Sequence, residues 1–204
     1  MPSQSKPFSS MKKIVPVNAS LIPDTAERVF KGTIFDVYHW QQEMFDGSFD
    51  TFEMLRRPDA VAVVAIRDGK LVVVHEQQPN NTPWYAIPAG RHDVPGETHL
   101  EAAQRELAEE AGMEFTSWRL IDVNQPVEKI EWFVYVYIAT DFKREVPLAH
   151  EKGEKINVHL MDLVDYHGLK GKERMRFWSQ HLEDAESVDE LLALPEFKGK
   201  EIER

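Results

Sequence analysis

Two runs of almost uninterrupted apolar residues, VAVVAIR ending at Arg67 and LVVVHEQ starting at Leu71, flank Asp68-Gly69. A continuous apolar run of this length predicts a strand buried on both faces, and the Asp-Gly between the runs predicts a tight hairpin. Residues 33 to 55 carry aromatic and apolar residues on both sides of Asp46-Gly47 and predict a second hairpin. Arg56-Arg57-Pro58-Asp59 breaks that pattern. Residues 79 to 97 are rich in Pro, Asn and Gly and predict loops around a short strand at Tyr85 to Ile87. A helix is predicted at about 98 to 111, strands at Ser117 to Val123 and Glu131 to Thr140, and a charged loop over 141 to 154. Ile156 to Met161 alternates like a strand, and the chain from Asp162 predicts helices with a polar end. Strands, one helix, strands, then helices predict a mixed sheet packed between helices. The expected organisation is a tail and lead-in over 1–29, a hairpin region over 30–56, a core over 57–165 and C-terminal helices over 166–204.

Bulk properties narrow the partners. With 204 residues, 42% of them hydrophobic, the chain suits one α/β or α+β domain with a small appendage. A formal net charge of −11 repels a long polyanion, so polymeric nucleic acid is not an expected partner. The excess acid also leaves carboxylates for divalent cations. The chain has no cysteine, which excludes disulfides and thiolate metal sites and fits a cytoplasmic location. No segment approaches the roughly 20 apolar residues of a membrane span. The first ten residues, MPSQSKPFSS, are polar and lack an apolar signal core, so they predict a flexible tail, with Met11 as an alternative start.

The predicted helix carries the chemistry. Thr98 is placed to cap its N-terminus, with Glu101 three residues on to complete a capping box, and Gly112 sits where a helix stops in a left-handed turn. Leu100, Ala103, Leu107 and Ala111 share one stripe and go into the core. Glu106, Glu109 and Glu110 share another, centred roughly 110° from the apolar stripe at about 100° per residue. On the flank of the buried face they look into a cleft. Like charges four residues apart repel, and the last turn of a helix disfavours anions by roughly 0.3–1 kcal/mol. Three glutamates alone fit a solvated acidic face better than a site. A break in local consistency also marks functional sites, and clustered carboxylates suit hard cations such as Mg²⁺ or Mn²⁺.

The residues around them decide between these readings. Arg105 to Met113 is R-E-L-A-E-E-A-G-M, with Gly90 and Glu97 upstream. This resembles the Nudix box, G-x5-E-x7-R-E-U-x-E-E-x-G-U, where U is a bulky apolar residue. For Arg105, Glu106, Glu109, Glu110 and Gly112 alone, a chance match is on the order of a few in 10,000. The box spans 90–113. Its one departure is the stretch between Gly90 and Glu97, which has six residues instead of five; the extra one falls before the helix. The resemblance implies a Nudix-type α/β/α sandwich with a mixed sheet and an N-terminal β-hairpin extension. It implies hydrolysis of a pyrophosphate bond with Mg²⁺ or Mn²⁺. Glu106, Glu109, Glu110 and the carbonyl of Ala89 would hold the metal. Arg105 and Glu97 would brace loop against helix, with Gly90 and Gly112 supporting the box.

Other residues extend the resemblance. Ile87-Pro88-Ala89-Gly90 is similar to the L-P-A-G of ADP-ribose pyrophosphatases, and Arg56 to Val61 is similar to their lead-in to the first core strand. Those enzymes carry glutamate before the leucine, where this chain has Ala86. They carry arginine near the end of the preceding strand, where it has Glu76-Gln77-Gln78. The base in such relatives is often a loop glutamate before a late strand; here Glu151 and Glu154 qualify, and Glu154 is preferred. Arg105 and Glu109 join them as candidate catalytic residues. Arg57, Trp84 and Arg91 are the candidates for substrate contacts. Trp40, Tyr85 and Trp132 are expected in packing. Eight histidines show no pair at the spacing of a zinc helix. The expected substrate is a small nucleoside-diphosphate compound, ADP-ribose or a nucleotide sugar first. The alternatives are a nucleoside triphosphate or dinucleoside polyphosphate, or a Nudix-fold nucleotide binder without catalysis. Phe35, Val37, Trp40, Phe49 and Phe52 of the first hairpin need a partner surface, which predicts a homodimer of twofold symmetry, as in ADP-ribose-type relatives.

Overall fold

A computed structural model describes residues 12–150, 152–169 and 179–203. The strands are β1 (Lys12–Val15), β2 (Glu27–Lys31), β3 (Asp36–Glu43), β4 (Phe49–Arg56), β5 (Ala60–Arg67), β6 (Lys70–Gln77), β7 (Trp84–Ala86), β8 (Ala89–Arg91), β9 (Met113–Asn124), β10 (Ile130–Glu131), β11 (Val134–Glu145), β12 (Lys155–Met161) and β13 (Lys200–Glu203). The helices are α1 (His99–Ala111), α2 (Leu163–Gly168), α3 (Gln180–Asp184) and α4 (Val188–Ala193).

The apolar runs form the centre, as their pattern predicts. Every residue of β5 from Ala60 to Ile66 is buried. Alternation along the strand divides them between two cores. Ala60, Ala62, Val64 and Ile66 join Val134, Val136 and Ile138 of β11 under Leu163, Tyr166, Leu182 and Leu191 of the C-terminal helices. Val61, Val63 and Ala65 face Ala103, Leu107 and Ala111 of α1. The result is an α/β/α sandwich. A fully buried leucine such as Leu107 contributes about 2 kcal/mol by burial of its side chain.

The central sheet runs β12-β6-β5-β11-β9 and is mixed: β11 lies parallel to β5 and antiparallel to β9. β5 and β6 pair only at their hairpin end, Ile66 with Leu71 and Arg67 with Lys70. Beyond it they part, and β8 pairs with β5 while β7 pairs with β6. This split brings the loop after β8 beside the start of α1.

Several elements differ from the sequence reading. The lead-in is not all tail: β1 pairs antiparallel with β13 at the far end of the chain, and Val15 and Ile22 are buried. The C-terminal part therefore ends on a strand and not only in helices. The N-terminal hairpin β3–β4 belongs to a four-stranded sheet of order β10-β4-β3-β2, so its partners come from both sides in sequence. β11 continues through the charged residues to Glu145, where Arg144 pairs with Glu114 of β9 at 2.7 Å. The tail over 1–10, Met11 and Glu151 lie outside the described residues.

A carboxylate-lined candidate active site

Helix α1 is built to end at the site. The Thr98 hydroxyl accepts from the Glu101 N–H at 3.2 Å, and the Glu101 carboxylate accepts from the Thr98 N–H at 2.8 Å, which closes the expected capping box. Gly112 terminates the helix at φ 65°. Between these caps, the flank of α1 carries Glu106, Glu109 and Glu110 into a cavity of about 610 Å³.

The three glutamates differ in environment. Glu110 is 6% exposed and accepts the Ala89 N–H at 2.9 Å, tying helix to loop. Burial pushes its carboxyl up; Glu106, Glu76 and Glu154 push it further, against the Ala89 N–H. Burial also raises Glu106, to about 7, with Arg105 opposing and Glu109 and Glu154 reinforcing. Glu109 is the most open of the three and accepts from Arg105 at 3.2 Å. Clustered like charges in a partly dry cavity favour the protonated form until a cation arrives.

Arg105 is the hub of the loop–helix junction. It donates to both oxygens of Glu97, at 2.8 and 3.0 Å, to Glu106 at 2.7 Å and to the Arg91 carbonyl at 3.1 Å. Its pKa lies well above the ordinary arginine value, first because of Glu97. Gly90 lies directly beneath Glu106, so a Cβ there would collide with the carboxylate. Gly90 and Glu97 thus both meet the flank of α1, one under Glu106 and the other on Arg105. The loop between them turns where the Glu97 N–H donates to the Val94 carbonyl, with Gly96 at φ 84°.

The same cavity gathers most of the other candidates. Ala89, Gly90, Arg91, Trp84, Arg57 and Glu154 all line it. Arg57 is not the solvated residue a turn would offer: its guanidinium lies over Trp132 at 4.5 Å and Phe35 at 5.6 Å. Burial and then Arg91 lower its pKa. Arg91 is paired to Asp93 at 3.4 Å. Trp132 walls the cavity, whereas Trp40 packs on Phe52 in the N-terminal sheet and Tyr85 against His75. Glu97 and Gly112 do not line the cavity. Ala86 is buried against Val74 and Ile156, so it offers no polar contact. Glu76, overlooked as a site residue, faces the cavity with its carboxyl raised, first by burial and then by Glu154, against the Gln78 hydrogen bond. No helix among the described residues is long and apolar enough to cross a membrane.

Six carboxylates therefore share one cavity with Arg57, Arg91 and Arg105. The carboxylates are hard oxygen donors, and burial raises Glu106 and Glu110. This donor set fits Mg²⁺ or Mn²⁺.

Comparison with known proteins points to one family. The chain is 36% identical over 134 residues to the ADP-ribose pyrophosphatase of Mycobacterium tuberculosis (strain ATCC 25618 / H37Rv), covering 63% of this chain and 64% of that protein. It is 36% identical over 88 residues to the ADP-ribose pyrophosphatase of Bacillus subtilis (strain 168), covering 42% and 47%. It is 30% identical over 122 residues to the methanol dehydrogenase activator of Bacillus methanolicus, covering 59% of each. The chain thus spans less than two thirds of the length of these curated relatives. A crystal structure of an ADP compounds hydrolase shares the fold, with a TM-score of 0.56 and 22% identity over 79% of this chain and 84% of that one. The NUDIX domain profile matches residues 56–182, more than half of the sequence, and the chain belongs to the NUDIX domain family.

Proposed function

We propose that this chain is a metal-dependent hydrolase of the pyrophosphate bond in a small nucleoside-diphosphate compound, with ADP-ribose the first candidate and nucleotide sugars next. The observation that carries this reading is the set Glu106, Glu109 and Glu110 facing Arg57 and Arg91 across one cavity. Mg²⁺ or Mn²⁺ would be held by these glutamates with the Ala89 carbonyl. When bound, the ion supplies neutralisation of phosphoryl charge and a water acidic enough to act as nucleophile. Glu154, which lines the cavity, is the group that would take a proton from the attacking water. Arg57, fixed between Trp132 and Phe35, and Arg91 hold the phosphates, and Trp84 offers a ring face to the base or sugar. Arg105 keeps Glu106 and Glu109 in place. Products are a nucleoside monophosphate and a sugar phosphate. A pure binder has no need of a repulsive carboxylate cluster. A cytoplasmic location fits the cysteine-free chain.

Product analysis with ADP-ribose, UDP-glucose, GDP-mannose and a panel of nucleoside triphosphates tests the reading. Cleavage of ADP-ribose or a nucleotide sugar is expected. Inorganic pyrophosphate from a triphosphate, with the sugars intact, would move the substrate to triphosphates. Gly90→Ala is expected to weaken Mg²⁺ binding by roughly tenfold or more, because the new methyl displaces the Glu106 carboxylate. Titration calorimetry measures this, and unchanged affinity would refute the packing argument.

The N-terminal sheet is proposed as a homodimer interface. Phe30 (60%), Phe49 (64%) and Val29 (46%) stay exposed on it, an apolar surface that a second copy would bury. Light scattering at micromolar concentration is expected to give twice the monomer mass; a monomer would overturn the assignment.

A further inference from the structure

A second cluster of ligand-type side chains lies behind the box, outside the carboxylate cavity. Asp59 precedes β5, His92 follows β8, and His99 opens α1. One ligand atom from each lies within 4.8 Å of the others. His99 Nε2 stands 3.6 Å from Asp59 Oδ2, close to the edge of a tetrahedron with ligands at the roughly 2.0–2.2 Å that Zn²⁺ takes.

Three features prepare these groups for a cation. His92 Nε2 lies 2.6 Å from the Glu97 carbonyl, which can only accept, so Nε2 carries the proton and Nδ1 keeps its lone pair. Anchoring one ring nitrogen on a carbonyl is how metal-binding histidines are held. His99 Nε2 is buried and faces Asp59 Oδ2 at 3.6 Å, too far for a good hydrogen bond, and an ion ligated between them would satisfy both. The His99 ring is fixed by stacking on Tyr135, with centroids 3.5 Å apart. Burial favours its neutral form, against the pull of Asp59. Asp59 itself is 4% exposed, and its other oxygen accepts the Phe133 N–H at 3.1 Å. Burial alone would raise it; His99 and Lys13 bring it below its ordinary value, so it is a carboxylate.

Lys13 now neutralises Asp59, with Nζ 2.6 Å from Oδ2. Its side chain is flexible and 23% exposed, and it lines a cavity of about 780 Å³ together with Asp59 and His92. That cavity is a route in for an ion and a route out for the ammonium.

We propose that Asp59, His92 and His99 form a second metal site, separate from the box glutamates, that takes a borderline-soft cation of the Zn²⁺ class and displaces Lys13 from Asp59. The donor sets divide the cations between the two sites. Two imidazoles and one carboxylate suit Zn²⁺, Co²⁺ or Ni²⁺, whereas the box offers oxygen alone. The Glu97 carbonyl anchors His92 and the Glu97 carboxylate anchors Arg105, so an ion here also holds the box loop in place.

The test uses the full-length chain carrying Glu106→Gln and Glu110→Gln, which silences the box, so it is independent of the proposed hydrolase activity. Co²⁺ is the probe, followed by its visible absorption and by metal content after desalting. One retained equivalent, displaceable by Zn²⁺, is expected. Adding His92→Ala, whose ring is partly exposed, or His99→Ala is expected to lower Co²⁺ affinity at least about tenfold. Lys13→Met is expected to raise it, because the competing cation is gone. Circular dichroism checks that each variant is folded. Absence of retained Co²⁺ and Zn²⁺ in the box-silenced chain, or unchanged affinity in folded His92→Ala, would overturn the proposal.

Discussion

Replacing Glu106 or Glu110 by glutamine is expected to lower kcat at saturating Mg²⁺ by at least about 100-fold, more than the 10- to 100-fold typical of residues that merely orient metal ligands. Glutamine keeps the shape, and at Glu110 its amide oxygen still accepts the Ala89 N–H, so the fold stays intact. The stability of the metal-free protein should move the other way. Burial places the Glu106 carboxyl at about 7 in the folded chain, above its ordinary carboxylate value. A group raised in this way favours folding fully below its unfolded pKa and loses that contribution as pH rises through the folded value. Metal-free protein is therefore expected to lose stability between about pH 5 and 8, by up to a few kcal/mol. Glu106→Gln should lose less, and Mg²⁺ should stabilise the parent but not the variant. Thermal unfolding in chelator at pH 6 and pH 8, with kcat beside it, measures both parts. Near-parental turnover in both variants would remove the box glutamates from the site.

Glu154→Gln is expected to reduce kcat by about 10²–10⁴-fold while leaving Mg²⁺ affinity nearly unchanged, as for loss of a general base. Glu154 sits in the loop before β12, lines the same cavity and acts electrostatically on Glu76, Glu106 and Glu110. A metal ligand would instead show its loss in the Mg²⁺ dependence. The pH profile gives a further readout, because the acidic limb, where a general base takes up its proton, should vanish or shift in a variant without the base. A silent Glu154→Gln with a damaging Glu151→Gln would transfer the role along the loop. If both were silent, the base would be Glu109.

Much of the chemistry lies within reach of local sequence. The helix caps, the core stripe and the three glutamates obey a period fixed by backbone geometry, so Thr98, Gly112, Leu107 and Glu110 could be placed from spacing alone. The strands β5 and β6 were equally plain, since only a strand buried on both faces needs apolar residues throughout. The general position of the N-terminal hairpin followed from Asp46-Gly47.

What spacing could not supply was the company each residue keeps. β1 is short and half polar, and nothing in Lys12 to Val15 names a partner; β13 lies 189 residues away and becomes its partner only when the fold closes. Arg57 was a candidate for substrate contacts with no known setting until Trp132 and Phe35 closed over it. Glu76 looked like the polar end of a strand until the split between β5 and β6 turned it into a cavity shared with Glu110. Asp59, His92 and His99 come from three different elements, and no helical or strand period joins them. Sequence by itself determined the family, the metal-type helix and the core strands, because each is written in short-range patterns of burial and charge. Tertiary structure decided the cavity, the setting of the arginines and the second cluster, because burial and electrostatics depend on which distant segments exclude water together.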